Sequence, residues 1–157
     1  MVPEEERTHT AVHILKGAVQ SVLQAKWTSS THVEGRRGRL TVQYDRKPTE
    51  EELNKIEEAA NRKVSDGAEV LEFSMERHEA EMHFGDQIHD VFPVPASVTM
   101  LRIVRIPEWN VNCCTEGHVE NTSTVGPIRL GRCRFRKARK ELEFEFELAD
   151  LTAFGNR

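Results

Sequence analysis

Apolar residues at Ala11, Leu15, Ala18 and Val22, with Val12, Val19 and Leu23 alongside, repeat at the helical period and predict an amphipathic helix over residues 7–24. Residues 27–32, Trp-Thr-Ser-Ser-Thr-His, break that period and read as a loop. A glycine-flanked basic turn, Gly35 to Gly38, then leads into Leu40-Thr-Val-Gln-Tyr44, whose composition is that of a strand. Thr49 and Glu52 form a capping box ahead of Leu53, Ile56, Ala60 and Val64, which predicts a second helix over 49–63 with Gly67 as its stop.

Alternation at Val70, Leu71 and Phe73 predicts a strand, and Met75 to Phe84 a short helix closed by Gly85. Val98 to Ile106 is an apolar run interrupted by Arg102 and Arg105, as in a strand with one buried face, and it ends at Pro107. Residues 108–127 are polar and turn-rich, whereas 128–148 alternate as a β-hairpin. Strands and helices are segregated, so the expected fold is a single α+β domain over residues 1–157, a mainly antiparallel sheet packed with helices.

Composition narrows the class. With 157 residues, 38% apolar and 31% charged, the chain can bury one core and does not read as disordered. No window approaches the ~18 apolar residues of a membrane span, and the N-terminus opens on Glu4, Glu5 and Glu6 rather than on an apolar leader. Three cysteines, two of them adjacent at Cys113 and Cys114, make a poor disulfide framework and suit a reducing compartment. The expected location is therefore cytoplasmic, without a membrane partner.

The chemistry concentrates in two places. His9 and His13 stand four apart on the first helix, so both imidazoles project from one face and can share an ion. About a hundred residues later Cys114 and His118 supply a thiol and an imidazole with three residues between them, a set that favours zinc over magnesium or calcium. Each pair alone is as ordinary as a packing feature; together they complete four ligands. His32, His78, His83 and His89 lack such spacing.

This pattern resembles the editing domain of alanyl-tRNA synthetase and its free-standing relatives, the AlaX proteins. Cys114-Thr-Glu-Gly-His118-Val119, followed by Thr124, Val125, Gly126, Ile128 and Leu130, is similar to that family's Cys-Gly-Gly-Thr-His stretch and the strand after it. Pro48 to Lys63 and Phe84-Gly85-Asp86 match the family's middle helix and Phe-Gly turn. Two features depart from the pattern: Glu116 stands where a small residue is expected, and only eight residues precede His9, as in the small type without an N-terminal barrel. The resemblance implies one Zn2+ per chain, held between the first helix and the late loop by His9, His13, Cys114 and His118. It also implies a deacylase acting in trans on mischarged tRNA(Ala) that carries serine or glycine, sparing alanyl-tRNA(Ala). The metal would activate water or anchor the substrate, and the residue type and spacing do not choose between these.

In the family a threonine or serine after the first helix faces the substrate side chain, which makes Ser30 and Thr31 the expected substrate-binding residues. RNA binding needs positive charge, and ten of the 22 basic residues fall in two clusters. A hairpin turning between Ala138 and Arg139 would set Arg136, Arg134 and Arg132 opposite Glu141, Glu143 and Glu145, and Phe135 opposite Leu142. That leaves Arg36, Arg37, Arg39, Lys137, Arg139 and Lys140 as the expected phosphate contacts. Two functions fit the sequence, the aminoacyl-tRNA deacylase and a zinc-stabilised RNA-binding module without hydrolytic activity; a zinc hydrolase of small esters is a distant third.

Overall fold

In the computed structural model, which describes residues 3–151, helix α1 runs over Glu4–Leu23. It begins three residues earlier than the apolar period requires, because Glu4, Glu5 and Glu6 occupy its first turn, where negative charge suits the exposed backbone N–H groups. Two strands follow, β1 (Thr28–Glu34) and β2 (Arg37–Gln43), then α2 (Glu50–Asp66), β3 (Leu71–Glu76), α3 (Arg77–Phe84), β4 (Met100–Ile106), β5 (Asn110–Cys113), β6 (Ile128–Arg136) and β7 (Glu141–Leu148). The strands form two antiparallel sheets, ordered β1-β2-β7-β6 and β3-β4-β5. The α+β class is as expected. The α1 and α2 helices pack together, and Leu40, Val42, Leu142, Phe144 and Phe146 of the larger sheet share a buried core with Ile14, Leu15, Ala18 and Ile56. A smaller core gathers Ala80, Ile88, Leu101, Ile103 and Val111.

Two strands differ from the sequence expectation. The segment expected to be a loop over 27–32 is strand β1, at the edge of the larger sheet, and it is polar because one edge and one face remain wet. A bulge between Thr28 and Ser30 shifts its pairing with β2, so Thr28 faces Val42 and Thr31 faces Leu40. The shift turns both threonines to the inner side although they are three apart. Likewise β5 lies inside the stretch read as turns. Asn110 and Asn112 project from it toward α1: the Asn110 amide donates to the His13 carbonyl at 2.7 Å, and Asn112 Oδ1 accepts from Lys16 Nζ at 2.6 Å.

The hairpin register is right at its tip and wrong beyond it. Arg136 faces Glu141, Arg134 faces Glu143 and Phe135 faces Leu142 as expected, but Arg132 does not face Glu145, because a bulge falls between Leu130 and Cys133. Gly131 lies there, close to the backbone of Glu145. The ion pairs actually formed are Arg136 with Glu143 at 3.3 Å and Arg129 with Glu147 at 3.1 Å. Such half-exposed pairs contribute only tenths of a kcal/mol each.

The second helix starts where its sequence says. Thr49 Oγ1 accepts from the Glu52 backbone N–H at 3.1 Å, and the Glu52 carboxylate accepts in return from the Thr49 backbone N–H at 2.9 Å. Arg46 adds a two-pronged grip on Glu52, at 2.7 and 2.8 Å. Arg46, and then the Thr49 N–H, favour the ionised carboxylate and pull Glu52 from 4.5 down to about 2. Because the folded value is the lower one, this contribution to stability is present in full above pH 4.5 and is lost as pH falls toward 2. The gap in urea midpoint between the native chain and Glu52→Gln should therefore be constant at neutral pH and close on acidification; a gap independent of pH would contradict the cap.

Candidate metal centre

The site is built on α1, which buries polar as well as apolar residues. Of the residues expected to hold metal, His13, Cys114 and His118 come together, their donor atoms all within 4.8 Å of one another. This group could hold a metal ion. The two histidine Nε2 atoms lie 3.1 Å apart, and both residues are buried. Burial, with the neighbouring His118, Lys16 and His9, holds His13 well below the usual histidine range, so its ring is neutral and free to offer a lone pair. His118 is lowered too, chiefly by burial and against the pull of Glu72.

Glu72 fixes the tautomer. Its carboxylate lies 3.0 Å from His118 Nδ1 and can only accept, so Nδ1 carries the proton and Nε2 turns its lone pair toward His13 and Cys114. A carboxylate behind a histidine is the common arrangement around protein-bound zinc. Burial raises the Cys114 thiol, and a bound cation would reverse that preference because the thiolate is the ligand. Two converging imidazole nitrogens, one oriented from behind, with a sulfur beside them, fit a zinc ion. His9 stands outside this group, its Nε2 3.8 Å from the Glu116 carboxylate, on the rim of the same cavity.

That cavity holds about 520 Å³ and lies between α1, β1, β4 and β5, with His13 and Cys114 in its wall. Thr31 lines it, whereas Ser30 belongs to the row of Thr41 and is not part of the lining. Three lining groups carry no signal in the sequence. Thr28 is 2% exposed and its hydroxyl has no partner. Lys16, 4% exposed, donates to Asp90 at 2.9 Å and to Asn112 at 2.6 Å. Asn112, 3% exposed, keeps its Nδ2 without a partner. Thr28 and Asn112 lie in short strands, where a polar residue looks like any solvent-facing position until the fold turns it inward.

The expected phosphate contacts divide. Arg36 pairs with Glu4 at 3.4 Å and donates to the Leu148 carbonyl at 3.3 Å. Arg37 and Arg39 stand opposite Glu147 and Glu145 on the outer face of the larger sheet, where glutamates offset them. Lys137, Arg139 and Lys140 are exposed at the tip of the β6-β7 hairpin. No helix among the described residues is long and apolar enough to cross a membrane.

Over 127 residues, 80% of its length, the chain is 35% identical to the alanine-tRNA ligase of Thermococcus kodakarensis. It is 34% identical over 140 residues to that of Methanopyrus kandleri and 37% identical over 125 residues to that of Methanococcus aeolicus. This chain is an alanine-tRNA ligase homologue. The match fits the editing-domain resemblance carried by the His9–His13 and Cys114–His118 pairs. The chain spans only 14 to 15% of the length of these ligases. No family model matches it.

Metal loading separates the donor residues. Titrated with Zn2+ after chelation, the His13→Ala and Cys114→Ala variants should each bind well under half an equivalent, while Cys113→Ala binds as the native chain does. Undiminished binding in both of the first two variants would remove the centre, and His9→Ala measures whether the rim histidine adds a fourth bond.

Proposed function

We propose that the chain hydrolyses the ester of mischarged seryl-tRNA(Ala), and of glycyl-tRNA(Ala), while sparing alanyl-tRNA(Ala). The observation that carries this reading is that the His13, Cys114 and His118 group opens into a cavity whose wall holds unpaired polar groups. A zinc serving only to brace an RNA-binding module has no use for such a cavity, and structural sites are normally closed by four protein ligands. The homology to alanine-tRNA ligase supports the tRNA half of the proposal.

His13, Cys114 and His118, with His9 as the family's fourth ligand, would hold zinc, which supplies Lewis-acid polarisation of water or of the ester when bound. The protein's own groups select the substrate. Thr28 is a better reader of the side chain than Ser30 or Thr31, because its hydroxyl is buried, unpaired and in the cavity wall. A seryl hydroxyl pairs with it; an alanyl methyl leaves it unpaired, at a cost of about 1–3 kcal/mol. The cavity wall also keeps the labile ester in place, so positioning rather than a protein nucleophile contributes most of the rate. For the phosphates, the exposed trio Lys137, Arg139 and Lys140 has fewer carboxylate partners than Arg36, Arg37 and Arg39.

The test is hydrolysis of seryl-tRNA(Ala) by zinc-loaded protein. Activity should vanish with chelator and return with Zn2+, and chelator-resistant binding of RNA without hydrolysis would favour the RNA-module reading. Thr28→Val, which keeps the shape and deletes the hydroxyl, should lower kcat/KM for the seryl substrate by about tenfold or more while leaving the slow alanyl reaction unchanged. Discrimination that survives Thr28→Val but falls with Ser30→Ala would return the role to the next part of β1.

A further inference from the structure

We infer that the side-chain amide of Asn112 donates to the carbonyl oxygen of the scissile ester as that oxygen gains negative charge. The inference rests on the deacylase reading and names a catalytic contact within the same cavity. Its ground is an orientation that chemistry fixes. Lys16 Nζ lies 2.6 Å from one terminal atom of the Asn112 amide, and an ammonium can only donate. The touched atom is therefore oxygen, and the other, buried and without a partner on a 3% exposed residue of the cavity wall, is the N–H donor. Asp90, 2.9 Å from the same ammonium, anchors Lys16 from the other side.

Buried donors are nearly always paired, so a buried amide with both N–H bonds unused is arranged for something that enters. What enters must bring an acceptor. That excludes the substrate's α-ammonium and any metal cation, and leaves its oxygens. Among these the ester carbonyl gains most. Donation by Lys16 into Oδ1 draws electron density from the nitrogen and strengthens the N–H donor, and a strengthened donor has greatest effect where charge develops. Position agrees: Asn112 precedes Cys114 by two residues on β5 and, like Asn110, projects toward α1, where His13 sits.

In the reaction, the oxygen of a water bonds to the ester carbon, and the carbonyl π pair moves onto the oxygen facing Asn112. Collapse re-forms the carbonyl and breaks the bond to the ribose oxygen. One water proton ends on that ribose oxygen, and the other is released as the amino-acid carboxyl ionises.

Two variants test the contact on zinc-loaded protein. Asn112→Asp keeps the shape and the acceptor for Lys16 but turns the donor into an acceptor; Asn112→Ala removes both. Each should lower kcat for seryl-tRNA(Ala) about 100-fold or more, as loss of a single oxyanion donor does, with KM within threefold of the native value. Affinity for a non-hydrolysable amide-linked seryl-tRNA(Ala) should change by less than threefold in Asn112→Ala, because its planar carbonyl carries little charge. The seryl-to-alanyl ratio should not move. Native kcat in both variants overturns the inference, and so does a change confined to that ratio, which would make Asn112 a reader of the hydroxyl. A native chain with no deacylase activity overturns the inference and the function together, whereas an active native chain with equally active variants overturns the inference alone.

Discussion

A polar group taken out of water must be paired, and α1 takes five of them into the interior. Each draws in a distant part of the chain. Arg7 donates to the carbonyls of Val125 and Ala149, Thr8 to that of Gly35, and Thr10 Oγ1 accepts from the Val119 backbone N–H. One turn on, His13 meets His118 and Lys16 meets Asp90 and Asn112. The helix's own backbone joins in, with Trp109 donating to the Ile14 carbonyl at 3.0 Å and its ring lying against Gly17, where any Cβ would collide with it. Pairing along one helix thus fixes where β5, the loop after it and the C-terminal end of β7 lie.

The cavity is where that pairing stops short. Toward the Arg7 end of α1 the buried side chains of Arg7, Thr8 and Thr10 are paired with backbone groups of the helix or of other segments, and the result is closed core. Toward His13 and Lys16 the matching groups are themselves ionisable or bifunctional: imidazole, ammonium, carboxamide. Satisfying one end of each leaves the other end exposed to the cavity, as with His118 held by Glu72 and Asn112 held by Lys16. Orientation is thereby supplied by the fold, at no further cost when a ligand binds, which is the condition for a preorganised site.

What could be read from the sequence was what is encoded over a short stretch. The Thr49–Glu52 box, the Gly67 stop and the Arg136–Glu141 end of the hairpin need only near neighbours. His13 and the Cys114–His118 pair were legible for the same reason, since each was picked out by a spacing within one element, whereas His9, chosen by the same spacing, stands outside the group. Strand β1 was not, because an edge strand with a bulge shows no clean alternation; β5 was not, because its alternate asparagines are polar on the side that becomes buried. Thr28 illustrates the limit. Without the bulge, strand parity would turn either Thr28 or Thr31 inward but not both, and nothing local in Trp-Thr-Ser-Ser-Thr-His announces the extra residue.

The same register argument separates the two faces of the larger sheet. Because every second residue of β7 from Glu141 to Glu147 is a glutamate, its outer row is uniformly acidic, and the flanking strands must answer with arginine. Arg37 and Arg39 on one side and Arg134 and Arg136 on the other do so. Their charge neutralises the sheet rather than attracting a polyanion, since a phosphate approaching any of them meets a glutamate across the strand. The cation buried beside the cavity, in contrast, is Lys16 of α1, already committed to Asp90 and Asn112. The cavity therefore presents neutral, fixed donors whose polarity the lysine enhances from behind, and under the proposed hydrolysis such donors suit an uncharged ester that becomes anionic only during the reaction.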